Sequence, residues 1–136
     1  MSSLHTIVYV SSSKMLFSTF ELEDLCSKAR LWNQEHSITG ALLYNDGQFI
    51  QCIEGPWEEL NLCYSRILLD QRHSGVTELL NRPITSRVFE SWNLGFARIG
   101  QDRRPQLIEA LAGVSPNATN KTHPSQGLMK SLISAL

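Results

Sequence analysis

A glutamine inside an apolar strand is the residue of this chain whose type and position most suggest chemistry. Phe49, Gln51 and Ile53 alternate within the run from Gly47 to Gly55, and alternate side chains of a strand share one face. Gln51 therefore sits between two large hydrophobic side chains on the face expected to be buried. A buried carboxamide carries donors and an acceptor that must be paired, so Gln51 needs a polar partner or a ligand.

Three other polar side chains are predicted to converge on the same place. Tyr9 shares the helix-facing side of the predicted sheet, and Asn33 and Arg66 would face it from two predicted helices. Each alone is explained by a core role, since a buried phenol satisfied by a neighbouring amide such as Gln51 is common. Together, between two helices and a sheet, they indicate a flat ligand with a polar edge.

Motifs for catalysis or metal binding are lacking in the sequence. It has no GxSxG, HExxH, P-loop or GxGxxG pattern. The four histidines are scattered without metal-ligand spacing, and the three cysteines form neither an even disulfide set nor a CxxC pair. We therefore predict no enzyme activity and no metal site, with Cys26, Cys52 and Cys63 reduced and buried.

Length and composition indicate one ordinary globular domain with a C-terminal appendage. The chain has 136 residues, 42% of them hydrophobic and 18% charged, and a net charge of −1. This balance does not favour a nucleic-acid or anionic-membrane surface, and no apolar stretch reaches the roughly 20 residues of a membrane span. The N-terminus lacks the basic and apolar regions of a secretory signal, so we expect a cytoplasmic location.

The first strand and helix position Tyr9 and Asn33. The run from Leu4 to Val10 is typical of a strand. Ser18 with Glu21 three residues later forms a capping-box pattern, and apolar residues then recur at helical spacing. This predicts a helix from about Thr19 to Glu35, with Asn33 in its last turn.

The hairpin and second helix position Gln51 and Arg66. Two apolar runs between Ser37 and Gly55 flank the turn at residues 45–47, which is a strong hairpin pattern. Pro56 suits the first turn of the helix that follows. The apolar stripe of this helix comprises Trp57, Leu60, Cys63, Tyr64, Ile67 and Leu68. Arg66 and Asp70 are four residues apart, so they are predicted neighbours on its surface.

Two further strands complete the predicted sheet. The runs Val76–Leu80 and Arg82–Thr85 indicate a fourth strand or an irregular pair, and Ser91–Ala97 indicates a fifth. On the fifth strand, alternation places three side chains on one side: Trp92, Leu94 and Phe96. The order β-α-β-β-α-β-β predicts an α+β, ferredoxin-like sheet with two helices on one face.

The chain changes character after this sheet. We predict a first domain of residues 1–98 and a C-terminal extension of residues 99–136. The extension contains two short amphipathic patterns, Gln106–Ala112 and Gly127–Leu136, separated by a segment rich in turn-forming residues. The second face of the sheet needs cover, which these two helices would supply, or else a second subunit.

The residues from Leu4 to Ala97 carry a resemblance to a known family. The segments that carry it are Ile7-Val8-Tyr9-Val10-Ser11, Asn33, Ile38-Thr39-Gly40-Ala41-Leu42-Leu43-Tyr44, Gly47-Gln48-Phe49-Ile50-Gln51-Cys52-Ile53-Glu54-Gly55, Arg66-Ile67, Asp70-Gln71-Arg72-His73, Arg87-Val88-Phe89 and Trp92-Asn93-Leu94-Gly95-Phe96. In this order they make the chain similar to BLUF domains, which sense blue light with a flavin. No single segment is decisive, but so many in order are highly specific.

The resemblance implies that FAD lies between the two helices, with the edge of its isoalloxazine ring toward the sheet. Asn33 matches the residue that bonds the carbonyl and imide edge of the ring. Gln51 matches the residue that reaches N5 and O4 while it also bonds Tyr9. The family tolerates variation at the phosphate end, so the residues alone leave both FAD and FMN open.

Four more residues match family positions around the ring. Arg66 and Asp70 match residues that contact its polar rim, and Leu25 and Ile67 match the aliphatic pair that clamps its two faces. Both aliphatic residues also belong to the apolar stripes of the predicted helices.

The resemblance also implies a photochemical switch. Excited oxidised flavin is a strong oxidant, and Tyr9 would give it an electron and then a proton, with Gln51 as the bridge. After recombination the amide of Gln51, rotated or tautomerised, would bond flavin O4 more strongly, which gives a small red shift. Glutamine suits this role because its two ends differ in hydrogen bonding but nearly match in shape.

Ser11, Trp92 and Leu94 match relay positions just outside the ring contacts. Here the sequence departs from the family, which usually has methionine where this chain has Leu94 and serine where it has Asn93. Leu94 cannot accept a hydrogen bond. The relay would then run through Trp92 or through a backbone carbonyl of the fifth strand.

The similarity to short, single-domain BLUF proteins implies an output through protein contacts. Such proteins act on a partner and often assemble as dimers or larger rings. We therefore expect a downstream signalling protein and a homo-oligomer, with light changing the docking of residues 106–136.

Two other functions stay open on the same fold. Acylphosphatase-like hydrolases share the element order and use an Arg and an Asn, but their Arg lies in a loop near the first strand. The corresponding loop, Ser11–Leu16, has only Lys14. A flavin-free interaction module is the second alternative, and the presence of Tyr9, Asn33 and Gln51 argues against it.

Overall fold

The structure is a computed structural model that describes residues 3–45, 47–90 and 92–98. The elements in these ranges are β1 (Leu4–Ser13), α1 (Thr19–Glu35), β2 (Thr39–Asn45), β3 (Gln48–Pro56), α2 (Trp57–Leu69), β4 (His73–Pro83) and β5 (Gly95–Arg98). The predicted order β-α-β-β-α-β-β is confirmed. The predicted C-terminal helices, Gln106–Ala112 and Gly127–Leu136, and the extension of residues 99–136 lie outside the described residues.

The five strands form one sheet in the order β4-β1-β3-β2-β5. Neighbouring strands are antiparallel, except that β2 and β5 run parallel. In the register of the central strands, Gln51 of β3 pairs with Tyr9 of β1 on one side and with Leu42 of β2 on the other. The phenol and the amide are therefore cross-strand neighbours in the middle of the sheet.

The two helices cover one face of the sheet, as predicted. Core residues on that face come from both helices and from alternate strand positions: Ile7, Leu22, Cys26, Leu42, Tyr44, Phe49, Ile53 and Leu60. The intervening positions form a second cluster on the far face: Val8, Ala41, Leu43, Ile50, Cys52, Leu80 and Phe89. Burial on both faces explains why the central strands are almost continuously apolar.

Local sequence explains where each helix begins. The Ser18 side chain accepts from the Glu21 backbone N–H while the Glu21 carboxylate accepts from the Ser18 N–H, so the capping box is formed. α2 begins at Trp57, and Pro56 lies just before its first turn rather than inside it. Its buried stripe is narrower than predicted, because Leu68 is 52% exposed and Trp57 39%.

The fourth strand follows one of its two predicted alternatives, whereas the fifth differs from the prediction. β4 is one continuous strand along β1, with register shifts, rather than an irregular pair. β5 begins only at Gly95, so Trp92 precedes the strand and its alternation rule does not apply there. The prediction that Trp92, Leu94 and Phe96 share one side is wrong: Trp92 packs on the far-face cluster, whereas Leu94 and Phe96 pack on the helix side.

The connector (residues 84–90 and 92–94) links the two edges of the sheet. It passes β1, β3 and β2, and Phe89 fills the far face as it does so. The buried carboxylate of Glu54 accepts from the backbone N–H groups of Val88, at 2.8 Å, and Phe89, at 2.9 Å. Arg87 donates to the Thr39 hydroxyl and to the Glu54 carbonyl. The connector is thus fixed on the far face by side-chain hydrogen bonds.

Two glycines are required by the hairpin. Gly47 has φ +86° in the turn between β2 and β3, a conformation that favours glycine. Gly40 lies so close to β3 that a Cβ would stand 2.0 Å from the Cys52 carbonyl oxygen. Among the described residues, no helix is long and apolar enough to cross a membrane.

Candidate functional site

A cleft of about 220 Å³ lies between α1, α2 and the helix-facing side of the sheet. Its lining residues come from both helices, the three central strands, the start of β4 and the segments that follow α2 and precede β5: Tyr9, Leu25, Lys28, Ala29, Trp32, Asn33, Leu42, Phe49, Gln51, Cys63, Arg66, Ile67, Asp70, Arg72, His73 and Leu94. The cleft combines apolar walls with a few polar groups, which is the usual composition of a small-molecule site.

Tyr9 and Gln51 form the polar floor of the cleft. They are 3% and 7% exposed, and the Tyr9 O–H donates to Gln51 Oε1 in a short hydrogen bond. Burial raises the pKa of Tyr9 above its ordinary value of 10.0, with smaller contributions from Cys63, Tyr64 and Asp70. The phenol is therefore protonated and donating, and no described residue accepts from the Gln51 Nε2 group.

Asn33 lies in the last turn of α1 and is 4% exposed. Its Nδ2 donates to the Asn93 carbonyl oxygen at 2.7 Å. Its Oδ1 has only a weak contact, 4.0 Å from the Cys63 thiol, whose pKa burial raises to about 12. One N–H and most of the acceptor capacity of this amide are left for a ligand.

Arg66 and Asp70 line the cleft without pairing with each other. Asp70 is the residue that ends α2, and its carboxylate pairs with Arg72 at 2.5 Å, which lowers its pKa. α2 ends at Leu69, so Asp70 is the cap residue just beyond the helix, and it lines the same cleft as Arg66. Arg66 instead stacks its guanidinium 4.3 Å from the Trp32 ring centre, and within the described ranges it makes no ion pair.

The apolar walls come from both helices and from the sheet. Leu25 projects into the cleft from α1 and Ile67 from α2. Phe49, Leu42 and Leu94 line it from the sheet side, and Leu94 is buried in the helix-side core. Two aliphatic side chains, one from each helix, suit a flat aromatic ligand that enters between the helices.

His73 occupies the cleft beyond Tyr9. Its Nε2 lies 2.7 Å from the Ile67 carbonyl oxygen, which can only accept, so Nε2 carries the proton. Its Nδ1 lies 2.7 Å from the Ser11 hydroxyl. Ser11 is thus tied to the cleft through His73 and is not itself among the lining residues.

These groups fit an isoalloxazine ring. That ring is flat and apolar on its faces, with carbonyl oxygens and an imide N–H along one edge. The cleft offers aliphatic walls for the faces and, for the edge, the Gln51 amide N–H groups, the Asn33 amide and the Arg66 guanidinium. A ligand without acceptors along its edge would leave these donors unpaired.

A family model described as sensors of blue-light using FAD matches residues 4–95. The chain belongs to the BLUF family. It is a member of a family of blue-light sensors rather than of enzymes, and BLUF domains bind a flavin. The match covers every strand and helix described here except the last three residues of β5.

Curated relatives are longer than this chain. The photoactivated adenylate cyclase subunit beta of Euglena gracilis is 36% identical over 94 residues, which is 68% of this chain and 11% of the relative. A blue light- and temperature-regulated antirepressor of Escherichia coli K12 is 26% identical over 125 residues, covering 92% of this chain and 31% of the relative. The chain thus spans between about a tenth and a third of these proteins.

Solved BLUF structures share the fold. The dark-state structure of the BLUF protein BlrB superposes with a TM-score of 0.78 at 25% identity, covering 100% of this chain and 99% of that one. Klebsiella pneumoniae BlrP1 with FMN and cyclic diGMP gives a TM-score of 0.70 at 27% identity, over 96% of this chain and 34% of the other. The ferredoxin-like α+β fold is confirmed.

The cleft brings together most of the residues that the sequence singles out. All seven predicted flavin contacts line it: Tyr9, Leu25, Asn33, Gln51, Arg66, Ile67 and Asp70. Of the three predicted relay residues, Leu94 lines the cleft, Ser11 reaches it through His73, and Trp92 packs on the opposite face of the sheet.

Eight lining residues were not predicted as parts of the site: Lys28, Ala29, Trp32, Leu42, Phe49, Cys63, Arg72 and His73. Helical spacing was the available signal. Trp32 is seven residues after Leu25, and Cys63 is three residues before Arg66, so each shares a helix face with a predicted contact. His73 follows the end of α2, where no periodicity indicates its direction.

Proposed function

We propose that this BLUF protein is an FAD-dependent switch in which Tyr9 and Gln51 form the photoactive pair. The observation that supports this most is the hydrogen bond from the Tyr9 hydroxyl to Gln51 Oε1 on the floor of a cleft shaped for a flat ring. A phenol and a carboxamide in direct contact beside a light-absorbing ligand can move an electron and a proton together.

Different residues of the cleft would bind different parts of the ligand. Leu25 and Ile67 would pack against the two faces of the ring, and Asn33 would bond its imide edge. Arg66, which has no ion-pair partner within the described part of the chain, and Asp70 would serve the polar rim. The family description supports FAD as the cofactor, and the FMN in the BlrP1 structure supports a site that also accepts a shorter flavin.

Tyr9 would act as the electron and proton donor. Oxidised flavin, once excited, supplies a strong one-electron oxidant. Because burial keeps the Tyr9 hydroxyl protonated, loss of an electron makes that proton strongly acidic, and Gln51 Oε1 is the acceptor already in contact with it. Return of the electron and proton leaves Tyr9 unchanged, so the lasting product is a different arrangement of the Gln51 amide.

Gln51 would store the signal. In the structure its Oε1 end is occupied by Tyr9, so its Nε2 end is the one left for the ligand. Rotation or tautomerisation of the amide would redistribute its donors and acceptor among Tyr9 and the ligand edge at nearly constant shape. An arrangement that directs a donor of residue 51 more closely at the flavin carbonyl would strengthen the hydrogen bond there, which would lower the excitation energy and shift the absorption to the red.

We propose that the output is a protein contact. The connector joins the cleft, through Leu94, to the far face of the sheet, through Phe89 and Trp92. Residues 99–136 follow directly after β5 in sequence. A light-dependent change in their docking, within a homo-oligomer or toward a downstream signalling protein in the cytoplasm, would transmit the signal. Comparing hydrogen exchange of peptides from residues 106–136 in darkness and in light tests this step.

Illumination of the purified, flavin-loaded protein tests the proposed pair. Wild type should show a red shift of the flavin bands under blue light and recover in the dark, and Tyr9→Phe should bind flavin but lose the shift. Tyr64→Phe is the matched control, because Tyr64 lies beside the Tyr9 ring, 5.9 Å between centres, without lining the cleft. A full red shift in Tyr9→Phe would disprove the role of Tyr9.

A further inference from the structure

Three consecutive backbone carbonyls before β5 are each held by a different donor. The Trp92 carbonyl accepts from the Gly40 backbone N–H at 2.9 Å, the Asn93 carbonyl from Asn33 Nδ2 at 2.7 Å, and the Leu94 carbonyl from Arg30 Nε at 2.8 Å. The Asn93 side chain adds a bond to the Ile38 carbonyl at 3.1 Å. This segment, Trp92–Leu94, is therefore held by α1 and β2 rather than by sheet pairing of its own.

The same segment passes from one face of the sheet to the other. Trp92 packs on the far-face cluster, and two residues later Leu94 lines the cleft. Any rearrangement that removes Leu94 from the cleft must displace the carbonyl that Arg30 holds. The position of the Leu94 backbone thus decides which side chain borders the ligand.

Upstream, the connector is anchored by buried groups. Glu54 has no exposed surface and binds the Val88 and Phe89 backbones. Asn33 is also buried, and its side chain lines the cleft. Arg30 differs because it is an exposed residue of α1 whose guanidinium reaches across to the segment. It is the donor that can be altered without opening the core.

Arg30 and Asn33 act on this segment from the same helix face. They are three residues apart on α1, and they bind the carbonyls of two adjacent residues, Leu94 and Asn93. A ligand that hydrogen-bonds the Asn33 amide would therefore affect the same segment, Trp92–Leu94, that Arg30 holds through the Leu94 carbonyl. The guanidinium donor is charged, so this bond is stronger than a neutral one of equal length.

We propose that Arg30 is a positioning residue that holds Trp92–Leu94 with Leu94 in the cleft, and thereby sets the rate of dark recovery. The effect of Arg30 on the rate of dark recovery rests on the proposed photochemical function. Its effect on the position of Trp92–Leu94 does not. Arg30 would not touch the flavin. It would raise the barrier to rearrangement of the segment, so its removal speeds the return to the dark state while leaving flavin affinity unchanged.

The first experiment measures the photocycle of the flavin-loaded protein. Arg30→Ala should recover in the dark roughly threefold faster or more, because a charge-assisted bond is lost, with the red shift and the flavin dissociation constant preserved. Arg30→Lys, which keeps a charged donor, should restore most of the wild-type rate. Gln34→Ala, which shortens an exposed side chain of the same helix, is the matched control and should recover like wild type.

A second experiment tests the Arg30 hydrogen bond without light. If wild type shows no photocycle, the proposed function is refuted, but this experiment still tests whether Arg30 holds the segment. Hydrogen exchange in the dark reports the Gly40 amide, which bonds the Trp92 carbonyl. Arg30→Ala should raise its exchange rate several-fold, and Gln34→Ala should not. Wild-type Gly40 protection in Arg30→Ala, or a recovery rate that is unchanged or slower than wild type, would overturn the proposal.

Discussion

At the scale of residues, burial fixes the protonation of the groups beside the ligand. The Tyr9 hydroxyl and the Cys63 thiol both lie in the cleft, and burial raises the pKa of each, that of Cys63 to about 12. Both are therefore neutral at ordinary pH. Tyr9, the electron donor that we propose, is therefore a protonated phenol, and the thiol beside Asn33 is not a thiolate.

This protonation predicts how stability depends on pH. Both acids have a folded pKa above the unfolded value, 9.0 for the Cys63 thiol and 10.0 for the Tyr9 hydroxyl. Their contribution is thus complete below about pH 9 and is lost as pH rises toward the folded values. We expect the free energy of unfolding to fall from pH 8 to pH 10, and Cys63→Ala to reduce that fall by about 1 kcal/mol.

Urea denaturation at the two pH values measures this effect. Cys63→Ala is compared with wild type at each pH, so the cost of the cavity it creates cancels in the difference. An equal loss of stability in both proteins would show that the thiol is not protected by burial.

Leu94 stands where the resemblance to the family leads us to expect a methionine. It packs among Leu22, Cys26, Leu42 and Phe49 and lines the cleft, so its effect on the ligand is steric. It offers no hydrogen bond to Gln51. Among these groups, Tyr9 is the one that hydrogen-bonds the Gln51 side chain.

Leu94→Met should change the dark-recovery lifetime by several-fold while flavin stays bound. The thioether introduces a weak acceptor beside Gln51 at nearly constant volume. Time-resolved absorbance after a blue pulse measures the lifetime. Leu80→Met is the control, because Leu80 is equally buried but packs on the far face. A lifetime that follows the control would place residue 94 outside the relay.

At the scale of elements, the connector decides which side chains meet the cleft. The Glu54 carboxylate is buried between β3 and the connector. It accepts hydrogen bonds from the backbone N–H groups of Val88 and Phe89 and from the Thr39 hydroxyl. Burial raises the Glu54 pKa, and these hydrogen bonds oppose that change. The group therefore has a structural role on the face away from the ligand.

Glu54→Gln should lower the free energy of unfolding by roughly 1–3 kcal/mol, because one amide end presents N–H groups to backbone donors. Chemical denaturation monitored by tryptophan fluorescence measures it, since Trp92 packs beside Phe89. Glu90→Gln makes the same chemical change at an exposed site of the connector. Equal stability of the two variants would contradict the anchoring role of Glu54.

At the scale of the whole molecule, local patterns predicted the fold and most of the cleft. Short-range rules predict the bounds of α1, the hairpin, and the placement of Tyr9 and Gln51 on the helix-facing side of the sheet. They do so because capping, turn geometry and strand pleating act over a few residues. Contacts that depend on the path of irregular segments were missed. The placement of Trp92 on the far face and the pairing of Asp70 with Arg72 both depend on where an element ends.

Within the described residues, a single connector joins the cleft to the opposite side of the sheet. Leu94 lines the cleft, and the same connector carries Phe89 and Trp92 into the far-face core. A change at the Gln51 amide thus has a packed path, within the described residues, from one face of the sheet to the other.

The light-minus-dark absorption spectrum of wild type beside Gln51→Leu tests the central claim most directly. Gln48→Leu, the same change at an exposed position of β3, serves as the control. We expect a red-shifted difference spectrum in wild type and Gln48→Leu, and flavin binding with no shift in Gln51→Leu. A normal red shift in Gln51→Leu would contradict a switch based on this amide.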